Sequence, residues 1–140
     1  MKVMGLNNRE YNLNMNKFVV RGDNTRPRSQ YHLAARELLR DMFKSYFLYE
    51  EVKMPGSRDP AHKSVLFLDF FIPSVMTAFE VHGKQHYEYT PFFHKSKLGY
   101  IHAQQRDELK KDWCVRNDID LVILKYSDTP EQWRQQIEQR

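Results

Sequence analysis

SVLFLDFFIPSVMTAFEVH, residues 64–82, is the stretch on which the fold turns. Two runs of β-branched and aromatic residues flank Pro73, which cannot donate to a sheet ladder, so the segment predicts two adjacent, largely buried strands. Three of its residues do not belong in such an interior. With a strand's period of two, Asp69 shares a face with Val65, Phe67 and Phe71, while Glu80 and His82 lie together on the face opposite Phe79 and Val81. An unpaired buried polar group costs roughly 1–3 kcal/mol, and an unpaired charge more. Lys84 and His86 follow at once in FEVHGKQHYE (79–88), so the most polar cluster stands where the most apolar segment ends. A divalent cation would offset the cost. Carboxylate oxygens suit Mg²⁺, and the waters left on the ion can bind phosphate oxygens.

Upstream, Ser29 is an N-cap for QYHLAARELLRDMFKSYF, where Tyr31, Ala35, Leu38, Leu39, Met42 and Tyr46 recur at helical spacing. FLYEEVKM (47–54) fits a strand and PGSRDP (55–60) a turn. Downstream, residues 101–116 read as a helix with Leu109 and Trp113 four apart, and IDLVILKY (119–126) as a buried strand. Thr129, Pro130 and Gln132 give a capping-box start to a short final helix. The expected order is α, β, β, β, α, β, α: one α/β domain over 29–140, with a central mixed sheet flanked by helices and an extra C-terminal helix.

With 140 residues, 41% of them hydrophobic, the chain can build one ordinary core. Its basic excess is concentrated. Residues 1–29 carry Lys2, Arg9, Lys17, Arg21, Arg26 and Arg28 against Glu10 and Asp23, which accounts for the whole net charge of +4. The weak periodicity of NNREYNLNMN and RGDNTRPRS reads as a basic N-terminal arm, residues 1–28, partly extended and ordered by a partner, and its charge favours an anionic one. The single cysteine, Cys114, excludes an intrachain disulfide and fits a reducing compartment. No run reaches the roughly 20 apolar residues of a membrane span, and the N-terminus lacks a signal-peptide core. The expectation is a cytoplasmic protein with no membrane partner, in the host cytoplasm if phage-encoded.

EVHGKQHY (80–87), with Asp69 upstream and RDELK (106–110) downstream, resembles the nuclease family of the very-short-patch repair endonucleases and the related EDxHD homing endonucleases, within the PD-(D/E)xK superfamily. The superfamily's αβββαβ core matches the order read above from residue 30 to 126. The resemblance implies a restriction-endonuclease-like fold and hydrolysis of DNA phosphodiester bonds with Mg²⁺, Mn²⁺ substituting, and no small-molecule cofactor. Glu37 matches the family's first-helix glutamate, Asp69 the metal-binding aspartate of the second strand and Glu80 the variable position of the third. His86 matches the histidine and Asp107 the aspartate of the following helix. By this resemblance Asp69, with Glu80 or the nearby backbone carbonyl of Val81, would hold the ion, and His86 would take a proton from a bound water. Lys84 or Lys110 would steady charge on the phosphate, and Asp107 would orient His86 or a metal water. An imidazole suits the base role because its reference pKa, about 6.5, leaves much of it neutral at physiological pH. The chain departs from the pattern at His82, where members often carry an acidic residue, and lacks the superfamily's lysine at that ExK position.

Plainer accounts exist for several of these residues. Glu37 suits a solvated helix position beside Arg40, His82 a satisfied strand-end histidine, and Asp107 with Lys110 or Lys111 a helix-surface ion pair worth about 0.2–0.5 kcal/mol. His82, His86, His94 and His102 fall within one short segment and raise a zinc site as a rival, although structural zinc usually recruits cysteine and Cys114 stands alone. For substrate binding, Tyr89 and Tyr100 are aromatics that stack on bases, Lys95 and Lys97 reach phosphates, and Arg21, Arg26 and Arg28 could wrap a duplex. The expected partner is double-stranded DNA, cut on one strand or both, with a homodimer suited to double-strand cutting and a phage or mobile element as a possible setting. Two other functions stay open: a non-catalytic nucleic-acid-binding module on a degenerate nuclease fold, and an RNA-directed nuclease.

Overall fold

The computed structural model describes residues 1–18 and 28–140. Short strands β1 (Lys2–Met4) and β2 (Glu10–Asn12) pair antiparallel. The segment read as a basic arm therefore contributes to the domain over residues 1–18: Val3 and Leu13 are buried in the main core. The Asn117 amide fastens β1 down, accepting the Met4 N–H at 2.6 Å and donating to the Met4 carbonyl at 2.9 Å. Arg21 and Arg26 lie outside the described residues.

Helix α1 (Gln30–Met42) starts at Ser29, whose hydroxyl accepts the His32 N–H at 3.1 Å, satisfying one of the amides that every helix start leaves open. It stops at Met42 because Phe43 leaves helical geometry (φ −121°, ψ 46°), so Tyr46, expected in the apolar stripe, is exposed. Strands β3 (Tyr49–Met54), β4 (Leu66–Ile72) and β5 (Thr77–His82) form an antiparallel meander. A one-turn helix, α2 (Pro91–His94), precedes the long α3 (Lys97–Arg116), which begins four residues before the expected start, at the N-cap Ser96. Strand β6 (Asp120–Lys125) returns parallel to β5, and α4 (Pro130–Glu138) opens with the expected capping box of Thr129 and Gln132. The sheet order is β3-β4-β5-β6, a four-stranded mixed sheet.

Two apolar clusters lie on its two faces. Val52, Met54, Leu66, Leu68, Phe71 and Ala78 pack with Trp113 and Cys114 of α3. Phe70, Ile72, Phe79, Val122 and Leu124 pack with α1 and α4. Asp69 brings a correction to the alternation read from sequence. Phe71 is buried beside Leu66 and Leu68 rather than sharing a face with Val65 and Phe67, both of which are exposed. The pleat is interrupted opposite Glu51, whose φ of 50° falls in the left-handed region, at a cost of order 1–3 kcal/mol for a non-glycine residue.

Glu50 anchors α1 to β3. Its buried carboxylate meets His32, the Arg36 guanidinium at 2.7 Å and Arg28 Nε at 3.5 Å. Burial alone would raise its pKa, but the bonds from His32 and Arg36 outweigh it and hold it at about 2. A depressed carboxylate contributes stability above its unfolded pKa of 4.5 and loses it as pH falls toward 2, an amount of about 3 kcal/mol. We expect Glu50→Ala to cost about 3–5 kcal/mol at neutral pH, as removal of one partner from a buried ion pair does. Urea melts at pH 7 and pH 3 check both halves: the gap between wild type and variant should narrow at the lower pH.

Candidate active site

The ladder between β4 and β5 stops at the Phe70–Phe79 pair. Beyond it the Asp69 side chain stands in for the missing backbone partner, its Oδ2 accepting the Val81 N–H at 2.8 Å. Alternation along β5 is unbroken, so Glu80 and His82 share one face, as the sequence reading expects, and that face lies against α3. Helix α3 crosses above them and supplies Arg106, Asp107 and Lys110.

Asp69, Glu80 and Lys110 form the first half of the site. Glu80 is only 3% exposed, shares a hydrogen bond with Asp69, and has its Oε1 at 2.9 Å from the Lys110 ammonium. Burial pushes the Glu80 carboxyl well above its usual range, the neighbouring Asp69 adds to this, and Lys110 only partly opposes it. Burial works against the charged form of Lys110 too, but the acids around it raise its pKa. Asp69 opens on a cavity of about 320 Å³ bounded by Glu51, Asp59, Arg106 and Lys110.

His82, His86 and Asp107 form the second half. The two imidazoles stack with centroids 3.9 Å apart and planes 7° from parallel. Each presents one nitrogen to Asp107: His86 Nδ1 lies 2.9 Å from Oδ2 and His82 Nε2 3.9 Å from Oδ1. Burial, with His86 adding, pulls His82 down to about 4, so it is neutral at pH 7. Asp107 would rise on burial, but the hydrogen bond from His86 outweighs that and lowers it, leaving an ionised carboxylate. A carboxylate can only accept, so His86 Nδ1 carries the proton and, in the neutral ring, the lone pair lies on Nε2. Tyr87 holds the other nitrogen of His82, with its hydroxyl 3.0 Å from Nδ1. A cavity of about 410 Å³ opens over these groups, with Gln104, Lys111 and Lys125 on its rim.

Six expected residues thus meet on one side of the sheet: Asp69, Glu80, His82, His86, Asp107 and Lys110. Others lie apart. Glu37 is exposed on α1, the helix packed on the opposite face of the sheet. Lys84 is exposed and pairs with Glu88 at 3.4 Å. Arg28, expected at a nucleic-acid surface, has a buried side chain in ion pairs with Glu50 and Glu51, because residue 28 sits against β3. Lys95 and Lys97 are exposed. Tyr89 and Tyr100 gather around His94, with Tyr100 donating to the Tyr87 carbonyl. His94 and His102 line a separate cavity with His62 and Arg106, so the four clustered histidines do not form one site. Arg106 escaped the sequence reading, although it lies four residues before Lys110, a helical-face signal. Tyr87, which the sequence offers as one more aromatic for stacking on bases, instead turns its hydroxyl to His82 Nδ1.

Three viral proteins are similar to part of the chain. "Uncharacterized protein 033L" of Invertebrate iridescent virus 3 is 37% identical over 70 residues, 50% of this chain and 36% of its own length. "Uncharacterized protein 307L" of Invertebrate iridescent virus 6 is 37% identical over 62 residues, 44% of this chain and 32% of its own. "Uncharacterized protein 094L" of Frog virus 3 is 34% identical over 80 residues, 56% of this chain and 52% of its own. The chain therefore spans between about a third and a half of the relatives it matches. No family model and no solved structure matches the chain. No helix among the described residues is long and apolar enough to cross a membrane.

Proposed function

We propose that the chain is a metal-dependent endonuclease of restriction-endonuclease-like architecture that hydrolyses phosphodiester bonds in DNA. The observation that carries this reading is the convergence, on one face of the sheet, of an acid pair with a part-buried ammonium and of a histidine oriented by a carboxylate. The element order from α1 to β6 and the mixed sheet agree with the core that the resemblance implies.

The donor set fits Mg²⁺. Asp69 and Glu80 offer hard oxygens side by side, and Asp69 opens on the cavity of about 320 Å³. An ion held by Asp69 and Glu80 would supply charge for the phosphoryl oxygens and acidify a water. The chain's own groups do the rest. Asp107 fixes the tautomer of His86, whose Nε2 receives the proton of the attacking water. Lys110 brings a positive charge to the Asp69 side of the scissile phosphate, where the ExK lysine of the superfamily is missing from β5. His82 is neutral, buried and stacked on His86, so it holds that ring in place.

The exposed Lys95 and Lys97 at the start of α3 are suited to phosphate contact. Replacing both by alanine should weaken DNA binding on all sequences alike and make the slope of log K against log salt shallower by about 2. An anisotropy titration across salt concentrations reads it, and an unchanged slope removes both lysines from the interface.

Conversion of supercoiled plasmid to nicked or linear forms in Mg²⁺, blocked by EDTA, tests the activity itself. Plasmid that stays intact with Mg²⁺ or Mn²⁺, while still bound, points to the binding-module function; cleavage confined to RNA points to the RNA-directed one.

A further inference from the structure

We infer that His82, His86 and Asp107 form a site for a borderline transition-metal cation such as Zn²⁺ or Co²⁺, distinct from the Asp69–Glu80 pair. One ligand atom from each residue lies within 4.8 Å of the other two, the only such group of three among the described residues. Two imidazole nitrogens and one carboxylate oxygen are a donor set that suits zinc and its neighbours, whereas Mg²⁺ prefers oxygen throughout. The site also has the outer contact that metal-binding histidines use: the Tyr87 hydroxyl, 3.0 Å from His82 Nδ1, turns Nε2 toward Asp107. Three protein ligands leave a fourth position open, and the cavity of about 410 Å³ lies over it.

Metal–ligand bonds of about 2.0–2.2 Å place neighbouring ligand atoms roughly 3.4 Å apart in a tetrahedral shell. The three atoms must therefore draw in slightly and the stacked rings tilt. His86 is the ring free to do so, since its side chain is 23% exposed against 7% for His82. In binding, the cation takes the place of the proton on His86 Nδ1, and that proton moves through solvent to Nε2, so the ring stays a neutral imidazole. The nitrogen that served as base is then protonated and becomes a donor. Zn²⁺ would thus inhibit Mg²⁺-driven cleavage. This consequence rests on the hydrolase reading; the site itself does not.

The test is a Co²⁺ titration of the full chain, without nucleic acid and with Mg²⁺ in excess, read by visible d–d absorption. The expected result is one Co²⁺ per chain, displaced by Zn²⁺, kept by Asp69→Asn and weakened at least about tenfold by His82→Gln, His86→Gln or Asp107→Asn. Circular dichroism monitors folding, and the more exposed positions 86 and 107 keep the test decisive if the buried His82→Gln misfolds. No absorption band, wild-type affinity in the folded variants, or loss of the band in Asp69→Asn overturns the inference. A chain that binds Co²⁺ in this pattern yet leaves plasmid intact keeps the site and removes the hydrolase reading.

Discussion

His86→Ala is expected to slow plasmid cleavage by about 10²–10⁴-fold, the usual contribution of a positioned acid–base group. Asp107 is ionised and accepts a hydrogen bond from His86 Nδ1 at 2.9 Å. That bond leaves the Nε2 lone pair as the only basic position on the ring and points it away from the carboxylate. Alanine deletes the base without touching the acid pair, so DNA binding should stay near wild type while the rate falls. Asp107→Asn offers a graded companion. The amide cannot hold the same tautomer as firmly, so its rate should fall between the two. Single-turnover cleavage at saturating DNA separates the rate from binding. A His86→Ala protein that cuts at the wild-type rate would remove His86 from the chemistry.

Asp69→Asn should be as severe, at about 10³-fold, because losing a carboxylate that positions the ion removes several kcal/mol of charge stabilisation in the transition state. The substitution has a second signature, read on Glu80. After burial, the Asp69 charge is the next largest influence pushing the Glu80 carboxyl upward. Neutralising it should let Glu80 titrate lower, which carboxyl-carbon NMR can follow. Asparagine can still accept the Val81 N–H through its carbonyl oxygen, so the strand contact at 2.8 Å is retained and the fold survives. Undiminished cleavage would place the ion elsewhere, and an unmoved Glu80 titration would show that the two carboxyls are not coupled.

Much of this arrangement is legible in the residues themselves. Runs of β-formers around Pro73 place β4 and β5, and caps at Ser29 and Thr129 place the starts of two helices, because both signals are local. Alternation places Glu80 and His82 on one face for the same reason. It fails at Asp69, where Glu51 on the neighbouring strand leaves extended geometry and resets the pleat. A contact between residues 51 and 69 is set by register, which no local pattern reveals. The same limit explains Glu37 and Glu50. Helical spacing and resemblance draw attention to the first, yet it is exposed, while the acid that meets His32 and Arg36 comes from β3. The basic arm illustrates the converse. Its composition is polar, but Val3 and Leu13 are enough to seat residues 1–18 on the core once Asn117 pairs with Met4.

If the Asp69 and His86 halves of the site act on one phosphodiester, their losses cannot be independent. Mg²⁺-dependent plasmid cleavage by wild type, Asp69→Asn, His86→Ala and the double variant, with DNA binding followed in parallel, decides it. Groups that act as one unit are strongly non-additive, so the expected result is rapid cleavage by wild type alone, and a double variant scarcely slower than either single one. Wild-type protein that binds the plasmid and leaves it intact, or variant losses that simply multiply, would contradict it.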